Sequence, residues 1–155
     1  MRIKCLAGVR RPIVVGLACG IALTGAFFIG RAQAQQTAAF TITKPALLYV
    51  LIKPDKNADY EVIVGKLKEA LQKTDKAELK QAASGWKIYK ADAPSNNSTL
   101  YVHVIDPPAA NADYTVMKIL YDAFPAEAQA IFAQYKEAFV GQSPVTMSLV
   151  ADLGK

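Results

Sequence analysis

Beyond residue 34 the chain contains no cysteine, since Cys5 and Cys19, its only two, both precede that point. The remainder therefore has no disulfide, no thiolate nucleophile and no cysteine metal ligand. Histidine is nearly as scarce. His103 is the single one, which leaves a zinc or iron site without its usual nitrogen ligands, so neither metal nor cofactor is expected. A surplus of positive charge is also missing once the first 34 residues are set apart. Arg2, Lys4, Arg10, Arg11 and Arg31 are five of the eighteen Lys and Arg, and that segment holds none of the thirteen Asp and Glu. The rest of the chain balances thirteen positive against thirteen negative side chains. Nucleic acid and an anionic membrane surface both lose their electrostatic basis as partners. No serine-centred elbow, glycine-rich phosphate loop or dinucleotide fingerprint occurs. No motif names a reaction, and no residue is assigned a catalytic role.

What the chain does have begins with an export pattern. Residues 1–11 are basic, Ile13 to Ile29 is apolar with small residues, and Ala32-Gln33-Ala34 has the small-x-small form of a cleavage site. Residues 1–34 read as a signal peptide cut after Ala34, which places the remainder in the periplasm or outside the cell. The apolar run is nearly long enough to span a bilayer, so a retained anchor is the competing reading. Twin-arginine export from Arg10-Arg11 and lipidation at Cys19 fit less well, because Pro12 comes directly after the arginines and Gly16 replaces the large aliphatic expected before Cys19. Residues 35–45 are small and polar and read as a flexible leader into one domain, 46–155.

That domain is built on a repeat. Leu48-Tyr49-Val50 opens an apolar run ending at Lys53-Pro54, followed by Asn57-Ala58-Asp59-Tyr60. Leu100-Tyr101-Val102 opens another ending at Asp106-Pro107-Pro108, followed by Asn111-Ala112-Asp113-Tyr114. Each copy reads as a strand, a proline turn, a capped helix start with a tyrosine on the core, and an amphipathic helix. Strands are expected over 46–52, 86–91, 99–105 and 145–150. Helices are expected over 60–73, 74–83 (opened by an Asp75/Glu78 capping box), 114–124 and 126–139, with Gly141 as a stop. Apolar stripes are expected at Tyr60, Ile63, Val64, Leu67 and Leu71, then Tyr114, Met117, Leu120, Tyr121 and Phe124, then Ile131, Phe132, Tyr135 and Phe139. Asp92 to Ser98 is a dense turn that closes a hairpin, and it carries overlapping glycosylation sequons at Asn96 and Asn97.

The element order is β-α-β-β-α-β with extra short helices, an α+β chain. Right-handed crossovers put the helices on one face of a four-stranded antiparallel sheet, with 46–52 and 99–105 central. This resembles a ferredoxin-like fold, and within it the dimeric α/β-barrel superfamily of antibiotic-biosynthesis monooxygenase-like and stress-responsive barrel domains. The resemblance covers about residues 46–151 and lies in element order and the repeat. It implies two sheets packed face to face in a homodimer around a small-molecule pocket. Some haem-degrading barrels use an Asn, a Trp and a His, but the spacing here does not match, so that role is not carried over.

Alternation divides each strand into two sets. Leu48, Val50 and Ile52, with Leu100, Val102 and Val104, Val145, Met147 and Leu149, and Trp86 and Ile88, are expected beneath the helices. Tyr49, Leu51, Lys87, Tyr89, Tyr101, His103, Thr146 and Ser148 are then expected on the helix-free face as a dimer interface, a ligand cavity or both. His103 is read chiefly as a hydrogen-bonded structural residue in that set. Three functions are compatible with this pattern: an exported homodimer binding a small, partly apolar molecule, a cofactor-independent monooxygenase-like enzyme, and a structural envelope protein whose sheet meets another chain.

Overall fold

The computed structural model describes residues 39–154. The expected signal peptide and the first residues of the leader lie outside the described residues. The strands are β1 (Ala46–Ile52), β2 (Trp86–Lys90), β3 (Thr99–Ile105) and β4 (Phe139–Thr146), in the order β2-β3-β1-β4. Every neighbouring pair is antiparallel. The helices are α1 (Asn57–Lys73), α2 (Ala77–Gly85), α3 (Val116–Ala123) and α4 (Ala128–Ala138). The chain is thus an α+β fold, and the two sister strands lie side by side at the sheet centre as their apolar runs require.

β1 alternates strictly between buried and half-buried residues, and Leu48, Val50 and Ile52 face the helices. Proline stops it: Pro54–Lys56 forms a single 3-10 turn that leads directly into α1. In α1, Tyr60, Ile63, Leu67, Ala70 and Leu71 recur at three and four residues and are all buried. The hairpin between β2 and β3 turns on Asn96 and Asn97, both with left-handed φ angles of 51° and 57°. Asparagine tolerates that region because its short polar side chain can bond locally.

Several expectations are corrected. The second Asn-Ala-Asp-Tyr copy does not open a helix. Asp113 Oδ1 accepts from Phe40 N at 3.0 Å, Thr115 N at 3.0 Å and Thr115 Oγ1 at 2.6 Å, and α3 starts only at Val116. Tyr114 keeps its core position at 2 % exposure, and Ile119 and Leu120 form the buried stripe while Tyr121 turns to solvent. The leader is not loose in its later part. Thr41 bridges Asp113, Tyr114 N donates to Phe40 O at 2.8 Å, and Ile42 is buried. The expected Asp75/Glu78 box does not form: α2 begins at Ala77 with Lys76 in the capping position and no side-chain cap, while Thr74 Oγ1 accepts from Lys76 N at 3.2 Å in the preceding turn. In α4, Ile131 is buried and Phe132 is exposed.

The last strand comes earlier than expected. α4 ends at Ala138 and Phe139 is already extended, so β4 runs through Gly141 and Pro144 and finishes at Thr146. Pro144 is tolerated because β4 is an edge strand, where a missing N–H breaks no central ladder. Val145 and Leu149 are therefore exposed and do not join the core. No linker separates α2 from β2 or α4 from β4: Gly85 is followed by Trp86 as strand, and Ala138 by Phe139.

Gly85 sits at the first of these junctions with its carbonyl accepting from Asp106 N at 2.9 Å. A Cβ there would run into the backbone carbonyl oxygen of Pro107, far inside van der Waals contact. Gly85→Ala should therefore lower stability by about 1–3 kcal/mol, the usual cost of overpacking. Urea denaturation of the variant beside the parent measures it, and an unchanged midpoint would contradict the close approach.

Candidate functional site

Register settles which face each predicted residue occupies. Leu48 pairs with His103 and Val50 with Tyr101. Directly opposed residues share a face, and Leu48 and Val50 are core, so Tyr101 and His103 lie beneath the helices at 3 % and 1 % exposure. This inverts the expected parity of β3. Leu100, Val102 and Val104 are the half-buried residues of the helix-free face. Tyr49, Leu51, Lys87 and Tyr89 do share that face, through the pairs Tyr49–Val102, Leu51–Leu100, Lys87–Val104 and Tyr89–Val102. Thr146 pairs with Ala46 on the opposite side, exposed at the end of β4, and Ser148 lies past the strand. The eight predicted residues do not form one site.

The inversion has a chemical cause. Greasiness alone assigns Leu100, Val102 and Val104 to the core, but buried polar groups are tolerated where each finds a partner. His103 finds two. Trp86 Nε1 donates to His103 Nδ1 at 3.2 Å, and His103 Nε2 lies 2.8 Å from Tyr60 Oη. An indole N–H is a donor only, so Nδ1 must present its lone pair and the imidazole proton must sit on Nε2. Nε2–H then donates to the Tyr60 oxygen. The ring is held neutral in one tautomer, and burial lowers its pKa from 6.5 to about 4. The arrangement offers no free lone pair to solvent.

Tyr101 is satisfied in turn by α1. Its hydroxyl donates to Glu61 Oε1 at 2.8 Å, and Lys90 Nζ donates to the same oxygen at 2.9 Å while lying 5.9 Å from the Tyr101 ring centroid. Burial, then the hydrogen bond and charge of Glu61, push the Tyr101 phenol well above its usual value. The bonds from Lys90 and Tyr101 pull Glu61 below the usual carboxylate range. Tyr60 packs on Tyr101 with ring centroids 4.6 Å apart and lies 6.4 Å from Tyr135, which stacks on Phe139 at 5.2 Å. Burial raises Tyr60 far above a free phenol and pushes Tyr135 up to about 12. Tyr60, Glu61, Trp86 and Lys90 were not in the expected set. Trp86 carried a usable cue: a buried indole needs an acceptor, and the hairpin brings it across from Ile105, one same-face step from His103.

The helix-free face is, by contrast, largely aliphatic. Leu47, Leu51, Leu100, Val102 and Val104 run across the two central strands, with Tyr49 among them and Lys87 and Tyr89 on β2. None belongs to either buried cluster of the domain. Among the described residues, no three of His, Asp and Glu converge to hold a metal, and no helix is long and apolar enough to cross a membrane.

No known family model, curated protein or solved structure matches this chain. Its sheet order and helices are compatible with a ferredoxin-like fold.

The buried imidazole gives stability a pH dependence of definite sign. Its folded pKa near 4 lies below the ordinary 6.5. Between those values the unfolded chain binds a proton that the folded chain refuses, so stability falls as pH drops through that window and levels off below it. The full loss is on the order of 3 kcal/mol. Urea denaturation from pH 7 to pH 4 on the parent and on His103→Gln should show the variant losing much less. Parallel curves would remove His103 as the cause.

Proposed function

We propose that this is an exported domain that works through its helix-free sheet face, pairing with a second copy and holding a small, partly apolar molecule between the two sheets. The observation that carries the reading is the aliphatic character of that face on both central strands, Leu47 and Leu51 beside Leu100, Val102 and Val104. A contiguous apolar patch of this kind marks an interaction surface. Lys87 and Tyr89 on β2 give it a polar margin on one side. A flat face of this composition suits two-fold pairing, in which each copy offers the same patch to the other. The resemblance of the element order to the dimeric α/β barrels supports the same arrangement, and the export pattern of residues 1–34 supports the compartment. The Tyr49 hydroxyl, at the centre of the face between Val102 and Ser143, can orient a guest.

Binding on this reading needs no proton transfer. The imidazole and the phenols of Tyr60 and Tyr101 are engaged on the other side of the sheet. On the helix-free face, Tyr49 and Tyr89 are the tyrosines that can meet a ligand.

Native mass spectrometry of the processed protein should show a dimer, with any retained molecule leaving when the dimer is split. Val102→Glu would bury an unpaired carboxylate in the pairing surface and should weaken it by about a hundredfold, or about 3 kcal/mol. A wild-type protein that stays monomeric at tens of micromolar, or a variant that still pairs, would refute the proposal. Copurification with a different protein chain in place of a second copy would do the same.

A further inference from the structure

We infer that the trough between α1, the end of α2 and edge strand β2 is a second binding site, one that takes a small anionic amphiphile: a free monomer with an apolar chain or ring ending in a carboxylate. The trough is about 380 Å³, at the lower end of ligand-pocket volumes. Leu67, Leu71 and Trp86 make its floor and are themselves core residues, while Ile88 forms the β2 side. Val64, Ala83 and Ile88 on its walls are only half-buried, and an alkyl chain or ring laid along them would complete their burial.

The rim sets the sign of the guest. Lys68 and Gln72 stand one helical turn apart on α1, and no Asp or Glu lines the trough. Other lysines of this helix are neutralised: Lys66 pairs with Glu127 at 2.7 Å and Lys73 with Glu69 at 2.6 Å. Lys68 makes no ion pair or side-chain hydrogen bond among the described residues. Its alkyl stem can lie along the apolar wall while its ammonium meets a carboxylate at the mouth. The Gln72 amide N–H can donate to the same group. A cationic or neutral amphiphile would gain the apolar contact without this pairing. The site lies on the helix side of the molecule and does not depend on the sheet-face pairing.

Trp86 is the only tryptophan in the chain, so its emission reports on the trough floor. The processed protein would be titrated at pH 7 with decanoate, and in parallel with decanol and with decyltrimethylammonium. Decanoate should give a saturable change below the concentration at which it self-assembles, with a Kd at least about tenfold below that of decanol, equivalent to ~1.4 kcal/mol. Lys68→Glu and Lys68→Gln should each weaken decanoate by about tenfold or more and leave decanol unchanged, with unaltered thermal midpoints because the side chain is exposed. Equal affinities for the three amphiphiles would overturn the inference, as would the absence of a saturable change or variants that bind like the parent. Decanoate binding that is lost in Val102→Glu and kept in both Lys68 variants would move the ligand to the sheet face, overturning this site while leaving the pairing proposal intact.

Discussion

One imidazole ties the two layers together. His103 stands on a central strand, its Nε2 bonded to a phenol from α1 and its Nδ1 to an indole from the neighbouring edge strand. Three elements distant in sequence meet at a single ring 1 % exposed. Because the indole can only donate, the ring has one acceptable protonation state, and that state fixes the orientation of both partners. Buried polar chains of this kind tolerate little repacking, since a slip of β3 by one residue would leave an indole N–H and a phenol without partners in the core. The register of the sheet centre is thus specified by hydrogen bonding as well as by apolar surface.

The same constraint decides what remains outside. With Tyr101 and His103 turned inward, every residue of β3 that looks outward on the other face is aliphatic, and it meets Leu47, Tyr49 and Leu51 across the pair. The imidazole and phenol that alternation alone would have placed on that face serve the core. The helix side also carries most of the ionic surface. Lys56 meets Glu137, Lys66 meets Glu127 and Lys76 meets Asp122, each linking α1 or its flanking turns to the α3–α4 half. Exposed pairs of this kind add little stability singly and weaken with salt. Their placement leaves charge on the helical side and grease on the sheet side, which gives the molecule a polarity of surface as well as of structure.

Much of the architecture was legible in the sequence. Continuous apolar runs at 46–52 and 99–105, proline stops after each, and the asparagine-rich hairpin turn mark the strands, right-handed crossovers give their order, and the three- and four-residue spacing from Tyr60 to Leu71 marks α1. Two things were not legible. The last strand begins at Phe139 because the chain ahead of Gly141 can pair with β1 at once, and glycine and proline in an edge strand do not forbid pairing as they would at the centre. The face assignment of β3 failed because hydrophobicity ranks Leu100, Val102 and Val104 above Tyr101 and His103, and periodicity cannot see a partner 17 or 43 residues away. The duplicated Asn-Ala-Asp-Tyr shows the same limit in miniature. One copy lies in a helix, and the other is held out of it by the backbone of Phe40.

The two direct junctions, Gly85 to Trp86 and Ala138 to Phe139, carry a mechanical consequence. Each outer strand follows its helix without a spacer, so a shift of the helix end is passed to the nearer margin of the sheet with no loop to absorb it. Tilting α2 or α4 would act like a lever on the nearer margin and change how strongly the opposite surface is dished.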